Sequence, residues 1–276
     1  MMRFVLKAGF LAACFFCFAV ASRAQYDEPP PDFPIQQPSS EKPAPKVPVV
    51  NKQELAAYNK IVADHADTAK VTEEAEAFVV KYPQSKYNQG VYAQLTNLYF
   101  AAGQTDKMMQ AGAKTLALNP DNVDVLPILA MATARGITAK TADVKGELQK
   151  AEDYGNHAVE ILNTLAKPDG LDDATFNRTK NDRIAMSRSA LGLVNFDRGK
   201  YDDAVTQLTQ AVQLASSPDP VDYFILGRAD VSTNHFTGAI DAFTKCTATA
   251  GPLQAPCKAG VDDAKKKQST GLEAPQ

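Results

Sequence analysis

The stretch ALGLVNFDRGKYDDAVTQLTQAVQL (190–214) is followed by ILGRADVSTNHFTGAIDAFTKCTAT (225–249), and the two are one pattern written twice. Leu191 and Leu226, Gly192 and Gly227, Tyr201 and Phe236, and Ala204 and Ala239 each stand 35 residues apart. A fixed period of this length describes a stacked pair of helices when apolar residues recur at helical spacing and a turn falls mid-unit. GlyLys at 199–200 and AsnHis at 234–235 supply that turn. Ala211 and Cys246 continue the small-residue face of the second helix. A single pair cannot bury both of its apolar faces, so the pattern predicts further pairs on either side.

These residues resemble the tetratricopeptide repeat, with Leu-Gly in the first helix, a Gly-aromatic turn, and Ala, aromatic and Ala in the second. The resemblance implies an all-α, right-handed solenoid of stacked antiparallel helix pairs: about five repeats over residues 51–267 and a C-terminal capping helix. The match is strong from 185 to 252, fair from 85 to 120 and weak elsewhere. Repeat packing is assigned to Leu191, Gly192, Ala204, Leu226, Gly227 and Ala239, the small residues admitting a neighbouring helix.

Outward from this core, the 85–120 region reads as a second pair, with Tyr92, Leu95 and Tyr99 on its first helix, Gly103 in its turn and Pro120 at its close. The pair before it lacks the glycine turn. Its first helix begins at Asn51, a side chain suited to an N-cap, and its second near Thr72. Lys81-Tyr82-Pro83-Gln84-Ser85 resembles the Tyr-Pro-x-Ser ending of repeats in bacterial envelope assembly proteins. The third pair carries an insertion at 136–145 before a helix from about Val144 to Ala166, and insertions of that kind can modify a binding face. Ala255 to Lys267 supplies the last helix, and 268–276 reads as a disordered tail.

Residues 1–24 read as a signal peptide: Arg3 and Lys7, then an apolar run from Ala8, then Ser22-Arg23-Ala24 before the cut. Loss of those three basic residues takes the formal net charge from −3 to −6. The expected location is the periplasm or beyond, with no spanning segment left after processing. Leu11-Ala12-Ala13-Cys14 also resembles the lipobox of bacterial lipoproteins, against which stands the apolar run that continues past Cys14. Gln25 to Val50 holds eight prolines and reads as an extended, semi-rigid linker.

Cys246 and Cys257 remain after processing. They are either a disulfide, favoured by an oxidising destination, or two buried thiols. The acidic balance and the absence of Trp argue against nucleic acid as a partner. No Ser nucleophile elbow, phosphate-cradling glycine loop, dinucleotide fingerprint or zinc spacing occurs, and His65, His157 and His235 belong to different repeats. No cofactor and no catalysis are expected.

The resemblance further implies that the first helices line a groove holding an extended peptide or partner helix. The repeat register places Lys60, Asn97, Phe100, Phe196, Phe224 and Arg228 on or near it. The carboxylate-gripping members of the family use Lys and Asn in the first helix and further basic residues in the next; Asn97 matches one part, but Ala93 stands where the first Lys would be and Ser189 and Phe224 hold the corresponding later places, so that specificity is not expected. The expected role is a non-catalytic scaffold for a protein or peptide partner in the cell envelope. The alternatives are a lipid-anchored component of an outer-membrane assembly machine, or an accessory of a cell-wall enzyme.

Overall fold

A computed structural model describes residues 51–63 and 67–271. The stretches read as a signal peptide and a Pro-rich linker, His65 and the last five residues lie outside them. The described residues form eleven helices and no strand. They pair as α1 (Lys52–Ala63) with α2 (Thr68–Lys81), α3 (Asn88–Ala101) with α4 (Thr105–Leu118), and α5 (Leu126–Gly136) with α6 (Val144–Thr164). Then come α7 (Asp173–Asp197) with α8 (Tyr201–Leu214), and α9 (Pro220–Ser232) with α10 (Phe236–Thr247), before a final α11 (Gln254–Gln268). This is an all-α helical-repeat solenoid.

Caps set where the helices begin. Asp67, Asp143, Asp172 and Asp219 each stand before a helix and accept a hydrogen bond from one of its first N–H groups, which would otherwise lack a partner. Asp67 starts α2 at Thr68, a turn earlier than the Thr72 expected from the apolar pattern, because Thr68 to Lys70 are exposed and leave no hydrophobic signal. At the other end α11 runs to Gln268, and Ser269 to Gly271 form a turn. Residues 268–271 of the stretch read as a tail thus belong to the end of α11 and its closing turn.

The repeat is clearest in its turn. Gly103, Gly199 and Asn234 occupy the same place between paired helices, with φ of 67°, 74° and 61°. Each turn closes with the same two bonds. The left-handed residue donates to the carbonyl three back: Gly103 to Phe100, Gly199 to Phe196 and Asn234 to Val231. The next residue donates five back: Gln104 to Tyr99, Lys200 to Asn195 and His235 to Asp230, at 2.8–2.9 Å. Glycine takes this conformation without a Cβ clash, and asparagine tolerates it better than most residues.

Packing follows the 35-residue register. A Cβ at Gly192 would lie 2.5 Å from Leu208, and one at Gly227 would lie 2.8 Å from Phe243, so each glycine admits the partner's large side chain at the matching position. Ala204, Ala239 and Cys246 are fully buried where paired helices touch, with Leu191 and Leu226 buried beside them. Gly112 does the same in the second pair, its missing side chain replaced by Leu129 of the next repeat. Cys246 and Cys257 are joined by a disulfide that ties α10 to α11. That pin matters because α11 buries only Cys257 and Ala264.

Candidate functional site

Helix α7 packs against both α5 and α9, so three successive first helices share one face. Counted from Gly192 and Gly227, Phe196 lies one turn on in α7, while Phe224 and Arg228 flank the glycine in α9. The Arg228 guanidinium lies 4.8 Å from the centre of the Phe196 ring and 5.8 Å from that of Phe224. The ring faces carry negative charge density, and the arrangement holds an exposed cation in a fixed orientation. Phe196 is braced edge-on by Tyr201 at 5.4 Å, and Phe224 is tilted on Phe243 at 6.0 Å. No carboxylate of the described residues reaches Arg228 at ion-pair distance, although Asp197 at the end of α7 acts on it through space.

Beside this stack a cleft of about 330 Å³ opens between α9, α10 and α11. Phe224 and Val231 form its apolar wall over the buried Phe243, with Arg228, Gly260 and Asp263 at the edges. Gly260 is required for it: a Cβ there would come within 2.8 Å of the Phe243 ring. Asp263 is already held by Lys267 at 2.8 Å, one turn along α11. The charge left open at the mouth is Arg228.

Of the six groove residues read from the sequence, three meet one another. Phe196, Phe224 and Arg228 meet as described. Phe100 on α3 is 42% exposed and makes no ring contact with them among the described residues. Asn97 turns its amide back to the Ala93 carbonyl of its own helix at 2.8 Å. Lys60 pairs with Glu74 at 2.5 Å within the first helix pair.

A bridge invisible to repeat counting separates the two ends. Arg135 at the end of α5 reaches Asp219 at 2.6 Å and stands 3.9 Å from Asp222, both on the opening turn of α9. Beneath it the Ser189 hydroxyl of α7 donates to Asp222 and approaches the Met131 sulfur at 3.9 Å. Ser189, which stands at one of the places where the carboxylate-gripping members differ from this chain, is buried, as is Asp222. Burial pushes the Asp222 carboxyl up to about 6, with Ser189 pulling it down, Asp219 pushing it up and Arg135 pulling it down in smaller measure. The bridge ties the third repeat to the fifth across the fourth. Nothing in the 35-residue period signals a contact between residues 84 apart.

The two described histidines are each held by another side chain. His157 meets Asp121 at 2.8 Å, and His235 meets the Thr233 hydroxyl at 3.0 Å in its turn. Among the described residues no group of three or more His, Cys, Asp or Glu is arranged to hold a metal ion, and no helix is long and apolar enough to cross a membrane.

No family model and no curated protein matches the chain. Solved structures do. PilW, a widely conserved type IV pilus biogenesis factor, is 12% identical over 80% of this chain and 93% of its own, with a TM-score of 0.50. A thermophilic TPR protein of Thermus thermophilus is 18% identical over 77% of this chain and 99% of its own, at a TM-score of 0.45. The MamA protein is 19% identical over 68% and 92%, at 0.39. Identities this low speak for the fold alone.

Proposed function

We infer that this chain, a tetratricopeptide-like helical-repeat solenoid, is a non-catalytic scaffold of the cell envelope that binds a protein or peptide partner. The observation carrying this reading is the Phe196–Arg228–Phe224 stack opening onto a shallow cleft of mixed polarity. A planar cation fixed between aromatic rings, beside an apolar wall, combines the features that concentrate binding energy in protein interfaces. Shallow, open surfaces of this kind suit a side chain presented by another chain better than an enclosed small substrate. Export rests on the signal-like residues 1–24, and the Pro-rich 25–50 stretch supports a spacer between the repeats and their attachment.

The test is affinity capture from the native envelope fraction with wild type, Phe196→Ala, Arg228→Gln and Phe100→Ser. The expected result is a partner retained by Phe100→Ser and lost from the other two, with all four melting alike. A partner held equally by all four would move the site away from α7 and α9. A hydrolytic activity on peptidoglycan that co-purifies with the chain would sink the scaffold reading.

Leu11-Ala12-Ala13-Cys14 supports a second reading, a lipid-anchored component of an outer-membrane assembly machine. Mass spectrometry of the mature N-terminus separates the two: a chain beginning at Gln25 ends the second, and diacylated Cys14 establishes the anchor.

A further inference from the structure

We propose that Arg188, with Gln207 and Gln210, forms a recognition site for a carboxylate between the paired helices of the fourth repeat, separate from the face that carries Phe196 and Arg228.

The repeat register makes the place unusual. In the second pair Lys114 of α4 lies 5.0 Å from the centre of the Tyr92 ring of α3, and in the fifth Lys245 of α10 lies 5.9 Å from that of Tyr223 of α9. Each lysine stands 22 residues after its tyrosine, and 35 residues before Tyr223 and Lys245 stand Arg188 and Gln210. The fourth repeat thus puts a guanidinium where the other two put a ring, and an amide where they put an ammonium. Gln207, one turn before Gln210 on α8, accepts a hydrogen bond from Arg188 Nη1 at 3.0 Å. Arg188 Nε and Gln210 Oε1 are buried and meet no hydrogen-bond partner among the described residues. No carboxylate of the described residues stands at ion-pair distance from Arg188, and burial draws the guanidinium below its ordinary value. Ser189, the next residue, turns instead to Asp222 of α9, so Arg188 is no part of the Arg135 bridge.

A partly desolvated cation without a counter-charge is unfavourable, and a break in the local packing rule marks a position shaped by something other than stability. With Nη1 taken by Gln207, the open edge of the guanidinium is the one formed by Nε and Nη2. Its two N–H groups point in parallel, at the spacing of the two oxygens of a carboxylate. Gln210 flanks that edge and, with its amide turned, donates a further hydrogen bond from Nε2. A water molecule would satisfy the Nε–H and leave the charge unbalanced. All three side chains are partly exposed, so an acid can reach them from solvent. The same edge reads an acidic side chain of another protein and a small free acid.

The experiment follows the Arg188 Nε–H resonance and the backbone amides of α7 and α8 by NMR in the full chain, during titration with sodium acetate or with a blocked glutamyl tripeptide. Sodium chloride at equal ionic strength is the control. Saturable movement of the Arg188 resonance and of residues 207–210 is expected with both carboxylates and not with chloride. Arg188→Lys keeps the charge and loses the parallel donors, so the amides should report binding weaker by about threefold or more. Tighter binding of the tripeptide assigns the acid to a protein side chain, and tighter binding of acetate assigns it to a small free acid. Arg188→Tyr/Gln210→Lys restores the pair found in the second and fifth repeats; it should melt no lower than wild type and lose the response. A resonance that moves alike with chloride, a response kept by the restored pair, or a restored pair that melts well below wild type would each overturn the proposal. The titration needs no envelope partner, so it succeeds or fails independently of the Phe196–Arg228 face.

Discussion

Asp222 and Asp230 set the behaviour of α9 with pH. Both carboxyls are buried and pushed up to about 6 from an ordinary value of 3.8, chiefly by desolvation. The native state then holds these protons more tightly than the unfolded chain does. Their contribution to stability is fully present below pH 3.8 and is lost as pH rises through about 6. The cost at neutral pH is up to about 3 kcal/mol for each group. Thermal melting between pH 4 and pH 7 should therefore show this loss, and Asp222→Asn should flatten the curve; a curve unchanged by Asp222→Asn would mean the group is solvated. Gly192 makes a second residue-scale prediction. Leucine there would drive its side chain into Leu208 and cost about 1–3 kcal/mol by overpacking, read as a lowered urea midpoint. Gly103, with open space around it, should respond instead through its positive φ, and Gly103→Asn should be milder than Gly103→Val.

Among the elements, α11 is the one whose place depends on a covalent bond. It buries two residues, and one of them is the cysteine that holds it. Closing a loop of this length is worth about 2–3 kcal/mol in the chain-entropy account. Cys246→Ala/Cys257→Ala should lose about that much stability and expose α11 amides to hydrogen exchange before those of α9 or α10. Equal protection of α10 and α11 in that variant would show that Gly260 and Ala264 packing alone holds the cap. At this scale the sequence is readable where local rules act alone. Two aligned copies define the helix pairs from 190 to 249, and Pro127 and Gly136 mark the start and end of α5. The start of α2 escapes the apolar pattern because an exposed opening turn leaves no trace in it. Of the residues read as a groove, only some come together. Phe196, Phe224 and Arg228 converge because repeat register transfers between neighbouring copies, whereas the Arg135–Asp219–Asp222 bridge joins copies that are not adjacent. Periodicity has no means of announcing such a contact. The burial of Ser189 follows from it, and is hidden with it.

For the molecule as a whole, that bridge divides the face of the first helices. Toward the N-terminus lie Asn97, engaged with its own helix, and Phe100, exposed. Toward the C-terminus lie the Arg228 stack and the cleft floored by α10 and α11. A partner that ran the length of the solenoid would have to pass over the Arg135 bridge, and the proposed docking surface lies on its C-terminal side. Arg135→Gln, which removes the bridge's charge while leaving its stem, should loosen the end of α5 against the start of α9 and speed exchange of amides in the last turn of α5 and the first turn of α9. The most direct test of this docking surface is hydrogen exchange across the full chain, with and without the captured envelope partner. Added protection is predicted at residues 193–197 of α7 and 224–232 of α9, with α2, α4 and α6 unchanged. Protection confined to those second helices, or to α3 around Phe100, would contradict it.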